Sequence, residues 1–200
     1  MNFVSDGALE RGWRAVLDFW FLPADHSSYG RFRREWFVKD PEFDEAIRRQ
    51  FAGEVDSAAA GRLDDLARHA RGALALIILL DQFPRNLFRG TSRAFASDAR
   101  AREIADRAVR AGFDRALPAV QRVFVYLPFE HSETLADQDR CVALFEDLPP
   151  ADWRAEAIDA GRRHREIIAR FGRFPHRNEI LGRPSSPAEI AFLKEPRSSF

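Results

Sequence analysis

The sequence predicts an all-α protein, an irregular antiparallel array of about eight helices. Apolar residues recur at helical spacing through most of the 200 residues, and no repeat of regular period is present. Strand-like alternation is weak, and no Asn-Gly or Asp-Gly turn joins two strand-like runs. The length suits a single domain over residues 1–200, with Pro149-Pro150 as its predicted internal joint.

The first two helices have clear boundaries in the sequence. The first is predicted over residues 6–21, because large apolar side chains share one face there and Pro23 follows. The second has the strongest start signal in the chain, since Asp40 is a capping residue and Pro41 suits the first helical position. Apolar residues four positions apart then form a core-facing stripe, and Gly61 is the predicted end.

The third helix is predicted to be the central one. It includes residues 63–83, and its part over residues 74–80 is apolar on almost all sides, which is typical of a buried helix. Because proline lacks a backbone N–H and restricts the residue before it, Pro84 predicts the end of this helix. Pro128 predicts the end of another apolar helix, over residues 117–127, for the same reason.

Capping signals of the same kind mark the boundaries of four further helices. They are Ser97-Asp98 and Gly112 around the fourth helix, Ser132 as the cap before Leu135, residues 152–171 closed by Gly172, and residues 188–194 after Ser186-Pro187.

The composition restricts the binding partners and the cellular compartment that we expect for this protein. The 31 basic residues balance the 31 acidic ones, so no broad basic surface for nucleic acid is expected. The single cysteine, Cys141, predicts no disulfide and is interpreted as a core residue. Neither a signal peptide nor an apolar run long enough to span a membrane is recognised. These features predict a cytoplasmic protein without membrane contact, and no motif indicates a metal or cofactor.

Polar residues follow the predicted central helix directly and form a first candidate cluster. They are Asp81, Gln82, Arg85, Asn86 and Arg89. The spacing of Asp81 and Arg85 allows a local ion pair, and such side chains also satisfy helix-end carbonyls. Alternatively, buried polar groups that need partners form a pocket in which a ligand pairs them.

A second candidate cluster is Glu130-His131-Ser132-Glu133. Ser132 with the acidic Glu133 suits a helix start, which is a purely structural role. His131 has no part in capping. Between two carboxylates we expect its pKa to be raised, so that it exchanges a proton near neutrality.

A third candidate cluster contains Arg173, His176, Arg177 and Asn178, with His164 on the preceding helix. Two arginines and a histidine at a turn suit a carboxylate or a phosphate. The alternative is that these arginines pair with Glu179 or with distant acidic residues. Together with the other clusters, they predict a shared polar pocket at the helix ends.

Four motifs of the chain are similar to those of a known bacterial family. They are LDFWF at 17–21, LLDQFPRN at 79–86, LPFEHSE at 127–133 and RFGRFPHRN at 170–178. In this order, over residues 16–193, the chain resembles the domain-of-unknown-function family 924. The resemblance implies an all-α fold of the tetratricopeptide-like superfamily. It implies no activity, because the family has no assigned reaction.

Three hypotheses of function follow from the clusters. The first is a protein that binds a small anionic metabolite or an extended peptide through Arg85, Arg173 and Arg177. The second is a hydrolase or lyase on an anionic substrate. In that case His131 is the general acid or base, Glu130 or Glu133 orients it, and Asp81 or His176 is the second proton-transfer group. The third is a structural or protein-interaction scaffold that takes no small ligand.

Overall fold

The structure is a computed structural model that describes residues 6–199, with side chains described from residue 12 onward. This part of the chain contains no strand, and it contains eight α-helices when residues 70–87 are counted as one. The predicted all-α helical array is therefore confirmed. The helices are α1 Asp6–Phe21, α2 Pro41–Ala59, α3 70–87, α4 Asp98–Arg110, α5 Ala119–Glu130, α6 Leu135–Glu146, α7 Arg154–Phe171 and α8 Pro187–Phe192.

Local contacts form three of the helix boundaries as predicted. The Asp40 carboxylate accepts hydrogen bonds from the N–H groups of residues 42 and 43, at 2.9 and 3.2 Å, and so caps α2. Ser186 and Glu189 form a reciprocal capping box at the start of α8. Gly172 ends α7 with a φ of 69°, a left-handed conformation that favours glycine.

Two helix starts differ from the prediction. Ser132 does not cap α6, which begins directly after Thr134. Its hydroxyl accepts the Thr134 N–H at 3.2 Å and donates to Asp137 at 2.7 Å, because the chain makes a further turn before the helix. Helix α3 begins at Ala70 and not at residue 63, since Asp64–Arg68 form a separate 3₁₀ turn.

Helix α3 is the central buried helix, as predicted. Every residue over 73–80 is at most 1% exposed. The ring of Phe83 lies 5.1 Å from that of Phe51 and 5.6 Å from that of Trp20, so aromatic side chains cover the end of the apolar segment. Cys141 is buried, as expected for a core residue. This packing holds the residues that follow in α3 in a defined place.

The predicted helix end at Pro84 is wrong, because α3 continues to Leu87. A π-helical segment, Ile78–Gln82, accommodates the proline. The Phe83 N–H there bonds to the carbonyl five residues earlier, so the helix has already widened where Pro84, which lacks an N–H, enters it. This segment carries Asp81.

The predicted helix end before Pro128 is also wrong, because α5 continues to Glu130. All residues over 123–130 are buried. Their packing offsets the loss of one backbone hydrogen bond, a loss that together with the ring clash costs about 3 kcal/mol in an isolated helix. The extended α5 therefore brings Glu130 and His131 side by side to its C-terminal end.

Candidate polar cleft at the helix ends

The structure brings the first two clusters together. Nδ1 of His131 lies 2.8 Å from Oδ1 of Asp81, although the two residues are 50 positions apart. Asp81 is fully buried, and its other oxygen accepts a hydrogen bond from Gln82 at 2.6 Å. Arg85 donates to the main-chain oxygen of Asp81 at 2.7 Å. The π-helical segment thus presents a buried carboxylate that orients the imidazole.

Asp98 joins the first cluster to the third. It forms two parallel hydrogen bonds with Arg85, at 2.9 and 3.0 Å, and a longer contact of 3.4 Å with Arg177. Arg177 also donates to the main-chain oxygen of His131 at 3.1 Å. Sequence reasoning treated Asp98 only as a helix start. No local signal identifies its role, because its partners are 13 and 79 positions away.

Arg177 is a buried cation whose positive charge is only weakly balanced by a nearby carboxylate. Its guanidinium carbon lies 4.7 Å from the ring centroid of Phe95 and 4.5 Å from that of Phe174. Its Nε atom is buried and has no hydrogen-bond partner. Burial and repulsion from Arg85 lower the pKa of Arg177 to about 10, despite the attraction of Asp98. The surroundings of this guanidinium therefore favour an additional negative charge.

Arg177 and His131 share the wall of a cleft of about 370 Å³. The start of α4 also faces this cleft, and no side chain caps that helix terminus. The unpaired N–H groups of a helix start carry partial positive charge. The cleft is lined by Ser92, Phe95, Ala96, Asp98, Ala99, Arg102, Pro128, His131, Ser132, Glu133, Arg177 and Leu181.

The expected raised pKa of His131 is wrong. Burial and the nearby Arg85 lower the pKa of this imidazole, and they outweigh the attraction of Asp81. Burial alone would raise the pKa of Asp81, but Arg85 and His131 hold it well below its usual range. At neutral pH an ionised carboxylate thus accepts the Nδ1 proton of a neutral imidazole. The other ring nitrogen, Nε2, is then a proton acceptor at the cleft.

The carboxylate of Glu130 pairs with His164 and not with His131, which gives a second histidine–carboxylate pair. Its Oε1 lies 2.8 Å from Nδ1 of His164. The rings of His131 and His164 are 6.4 Å apart, so the two pairs are neighbours. His176 lies beside them against Phe174, with ring centroids 5.6 Å apart. Burial and the charge of Arg177 lower the pKa of His176 to about 4.

Glu133 holds the C-terminal part of the chain against the start of α6. Its Oε1 accepts the N–H of Phe174 at 2.8 Å, and both of its oxygens accept hydrogen bonds from Arg183, at 2.7 and 2.9 Å. Sequence reasoning missed Arg183, which lies 50 positions from its partner. Glu133 thus lines the cleft while fixing its C-terminal wall.

Two residues of the first cluster, Asn86 and Arg89, bind α2 and do not line the cleft. Asn86 donates to Asp44 at 2.8 Å, and Arg89 binds both oxygens of the same carboxylate, at 2.6 and 3.0 Å. Asp44 belongs to α2. These contacts join α3 to α2, and neither Asn86 nor Arg89 lines the cleft.

Two residues of the third cluster organise the C-terminal turn. Arg173 binds both oxygens of Glu189, at 2.6 and 2.8 Å. Asn178 donates to Ser185 at 3.0 Å and accepts a hydrogen bond from Arg183 at 3.0 Å. Arg173 and Asn178 therefore support α8 and the segment before it, and Arg177 is the arginine of this cluster that lines the cleft.

Among the described residues 6–199, no group of three or more histidine, cysteine, aspartate or glutamate residues is arranged to hold a metal ion. None of the helices that residues 6–199 form is both long and apolar enough to cross a membrane.

The fold and the cleft together define an all-α protein in which polar residues from distant helix ends converge. A family model described as bacterial protein of unknown function, DUF924, matches residues 16–197, and the chain belongs to this family. The resemblance seen in the four motifs is thereby confirmed. Among solved structures, the chain is similar to a protein of unknown function from Agrobacterium tumefaciens. The two share 39% identity over 92% of this chain and 98% of the other, with a TM-score of 0.82. No curated protein matches the chain.

Proposed function

We propose that the cleft binds a small anionic molecule, with Arg177 and His131 in contact with it. The observation that carries this proposal is the weakly compensated charge of Arg177. Its contact with Asp98 is 3.4 Å long, and Asp98 is engaged more closely by Arg85. An anion in the cleft supplies the negative charge that the buried guanidinium lacks.

The other residues that line the cleft also favour a small anionic ligand. The uncapped start of α4 adds partial positive charge, and Arg102 of the same helix also lines the cleft. Phe95 and Leu181 offer apolar surface for the body of the ligand. A volume of about 370 Å³ lies in the range of small-molecule sites and favours a small metabolite over an extended peptide.

A thermal-shift screen tests this proposal. The panel contains inorganic phosphate, dicarboxylates, sugar phosphates, nucleotides and short peptides. An anion at about one hundred times its Kd should add about 2.7 kcal/mol of stability to the native chain. Arg177→Gln should lose this stabilisation, because the ligand then meets no buried cation.

The matched control is Arg89→Gln, which removes an arginine that pairs with Asp44 outside the cleft. This variant should keep the ligand-induced shift. Equal shifts in the two variants, or no shift with any anion, contradict the proposal and favour a structural scaffold.

A second candidate function, acid–base catalysis on an anionic substrate, rests on a separate observation. The 2.8 Å contact with buried Asp81 orients His131, so that Nε2 of the neutral imidazole acts as a general base. Asp81 is fully buried and does not line the cleft, so its role is to position His131. Arg177 then holds the substrate charge.

A pH–rate profile tests the second candidate on whichever anion stabilises the protein. The acid limb of the profile should lie below the ordinary imidazole pKa of about 6.5, because burial and Arg85 lower the pKa of His131. His131→Ala should lower kcat by about a hundredfold to ten-thousandfold. Asp81→Asn should move the acid limb to lower pH, since Asp81 raises the pKa of His131. Turnover unchanged in His131→Ala contradicts this role.

A further inference from the structure

His131 presents an open hydrogen-bond acceptor to the cleft. Its Nδ1 carries the proton, because the Asp81 carboxylate at 2.8 Å can only accept a hydrogen bond. Nε2 on the other side of the ring is then an acceptor, and no group of residues 12–199 donates to it. Asp81 is fully buried and the His131 side chain is 15% exposed, so the exposed edge of the ring is the one that carries Nε2. A ligand that donates a hydrogen bond suits this position.

Arg177 presents an open donor beside this acceptor. Its Nη1 atom donates to the main-chain oxygen of His131 at 3.1 Å, which places the guanidinium and the imidazole on the same wall of the cleft. Within the described part of the chain Nη2 binds no acceptor, and it is not sealed from solvent as Nε is. One guanidinium nitrogen thus remains for an anionic group next to the acceptor.

The carboxylates that line the cleft favour a ligand with a single negative charge and no positive one. Asp98 and Glu133 each bind an arginine through both oxygens, Asp98 with Arg85 and Glu133 with Arg183. Because both carboxylates are already paired, neither requires a cationic group on the ligand. They would repel the second charge of a phosphate ester, whereas a carboxylate brings only one.

Apolar side chains line much of the remaining space. They include Phe95, Pro128 and Leu181, and Leu181 is 37% exposed. These surfaces favour an apolar substituent on the ligand over a chain of further polar groups.

We propose that the ligand of the cleft is a 2-hydroxycarboxylate with an apolar substituent, whose carboxylate accepts from Nη2 of Arg177 while its hydroxyl donates to Nε2 of His131. A hydroxyl on the carbon next to the carboxylate stays at the same edge of the molecule, so it reaches an acceptor on the same wall. An ammonium group on this carbon would lie beside the guanidinium and is disfavoured. This inference rests on the anion site proposed above and narrows its ligand class.

Matched probes test the ligand class by isothermal titration calorimetry at about pH 8, where the imidazole is neutral. Mandelate, phenylacetate, benzoylformate and phenylglycine differ only in the group on the carbon next to the carboxylate. The better enantiomer of mandelate should bind about three- to tenfold more tightly than phenylacetate, as expected for one added hydrogen bond. Benzoylformate, whose keto oxygen only accepts, should bind no more tightly than phenylacetate. Phenylglycine and benzyl phosphate should bind more weakly than mandelate.

Three variants assign the contacts. His131→Ala should reduce the affinity for mandelate to that for phenylacetate, since the acceptor is lost. Arg177→Gln should weaken both ligands by at least about tenfold, because both bring a carboxylate to the guanidinium. Ser132→Ala is the matched control. Its hydroxyl already donates to Asp137 at 2.7 Å, so the preference for mandelate should remain.

The outcomes separate this inference from the anion site on which it rests. Equal affinities of mandelate and phenylacetate, both lost in Arg177→Gln, would contradict the hydroxyl contact and leave the anion site in place. Tighter binding of phenylglycine or benzyl phosphate, or of a thermal-shift anion but none of these carboxylates, would overturn the ligand class alone. If no anion binds, the proposed function fails with it. If His131→Ala does not fold, the order of mandelate and benzoylformate on the native chain decides the question.

Discussion

Asp81→Ala should lower the free energy of unfolding by about 3–5 kcal/mol, because it leaves buried polar partners without their carboxylate. Asp81 is fully buried and contacts both His131 at 2.8 Å and Arg85 at 3.3 Å. Urea denaturation followed by circular dichroism measures the change. Asp56→Ala is the control, because Asp56 is 66% exposed and pairs with Arg93 at the surface. That change should stay within about 0.5 kcal/mol.

The loss of stability caused by Asp81→Ala should depend on pH. The pKa of Asp81 in the folded protein is held well below its usual value, since Arg85 and His131 outweigh burial. Its stabilising contribution is therefore present above the unfolded pKa of about 3.9 and is lost as the pH falls toward the folded pKa. The difference in stability between wild type and Asp81→Ala should narrow from about pH 5 to about pH 2. A difference that stays constant, or a loss below about 1 kcal/mol at neutral pH, would contradict the pairing of Asp81.

Gly72→Ala should lower the free energy of unfolding by about 1–3 kcal/mol, because the new methyl group has no space. A Cβ atom at Gly72 would lie 2.2 Å from the carbonyl oxygen of Leu66 and 2.7 Å from the ring of His69. The first of these neighbours is backbone, so the 3₁₀ turn or the start of α3 must move. The midpoint of thermal unfolding measures the effect.

Gly53→Ala should have the opposite effect on the stability of the protein. Gly53 lies inside α2, and a Cβ atom there meets nothing within 4 Å. Alanine should therefore stabilise the protein by about 0.5–1 kcal/mol, since it reduces the freedom of the unfolded chain and favours helix. The two substitutions should move the unfolding midpoint in opposite directions. Similar shifts would show that the approach of Gly72 to Leu66 is not close.

The sequence by itself determined the all-α class, the capped start of α2 and the buried α3. These features depend on neighbours a few residues away, through helical periodicity, capping and turn residues. The same local patterns identified three polar clusters at helix ends. They did not distinguish Arg177, which lines the cleft, from Arg173, which supports α8, because both follow the same turn in the chain.

Only the tertiary structure decided how the helix ends meet. Pro84 and Pro128 do not end their helices, because a π-helical segment accommodates the first and dense packing offsets the second. The sequence places carboxylates beside His131, yet its side-chain partner is Asp81, 50 positions away. Arg85, whose charge helps lower the pKa of that histidine, is also remote from it in the chain. Pairing between distant residues and burial determine the protonation states of Asp81 and His131. Local spacing in the sequence predicts neither the pairing nor the burial.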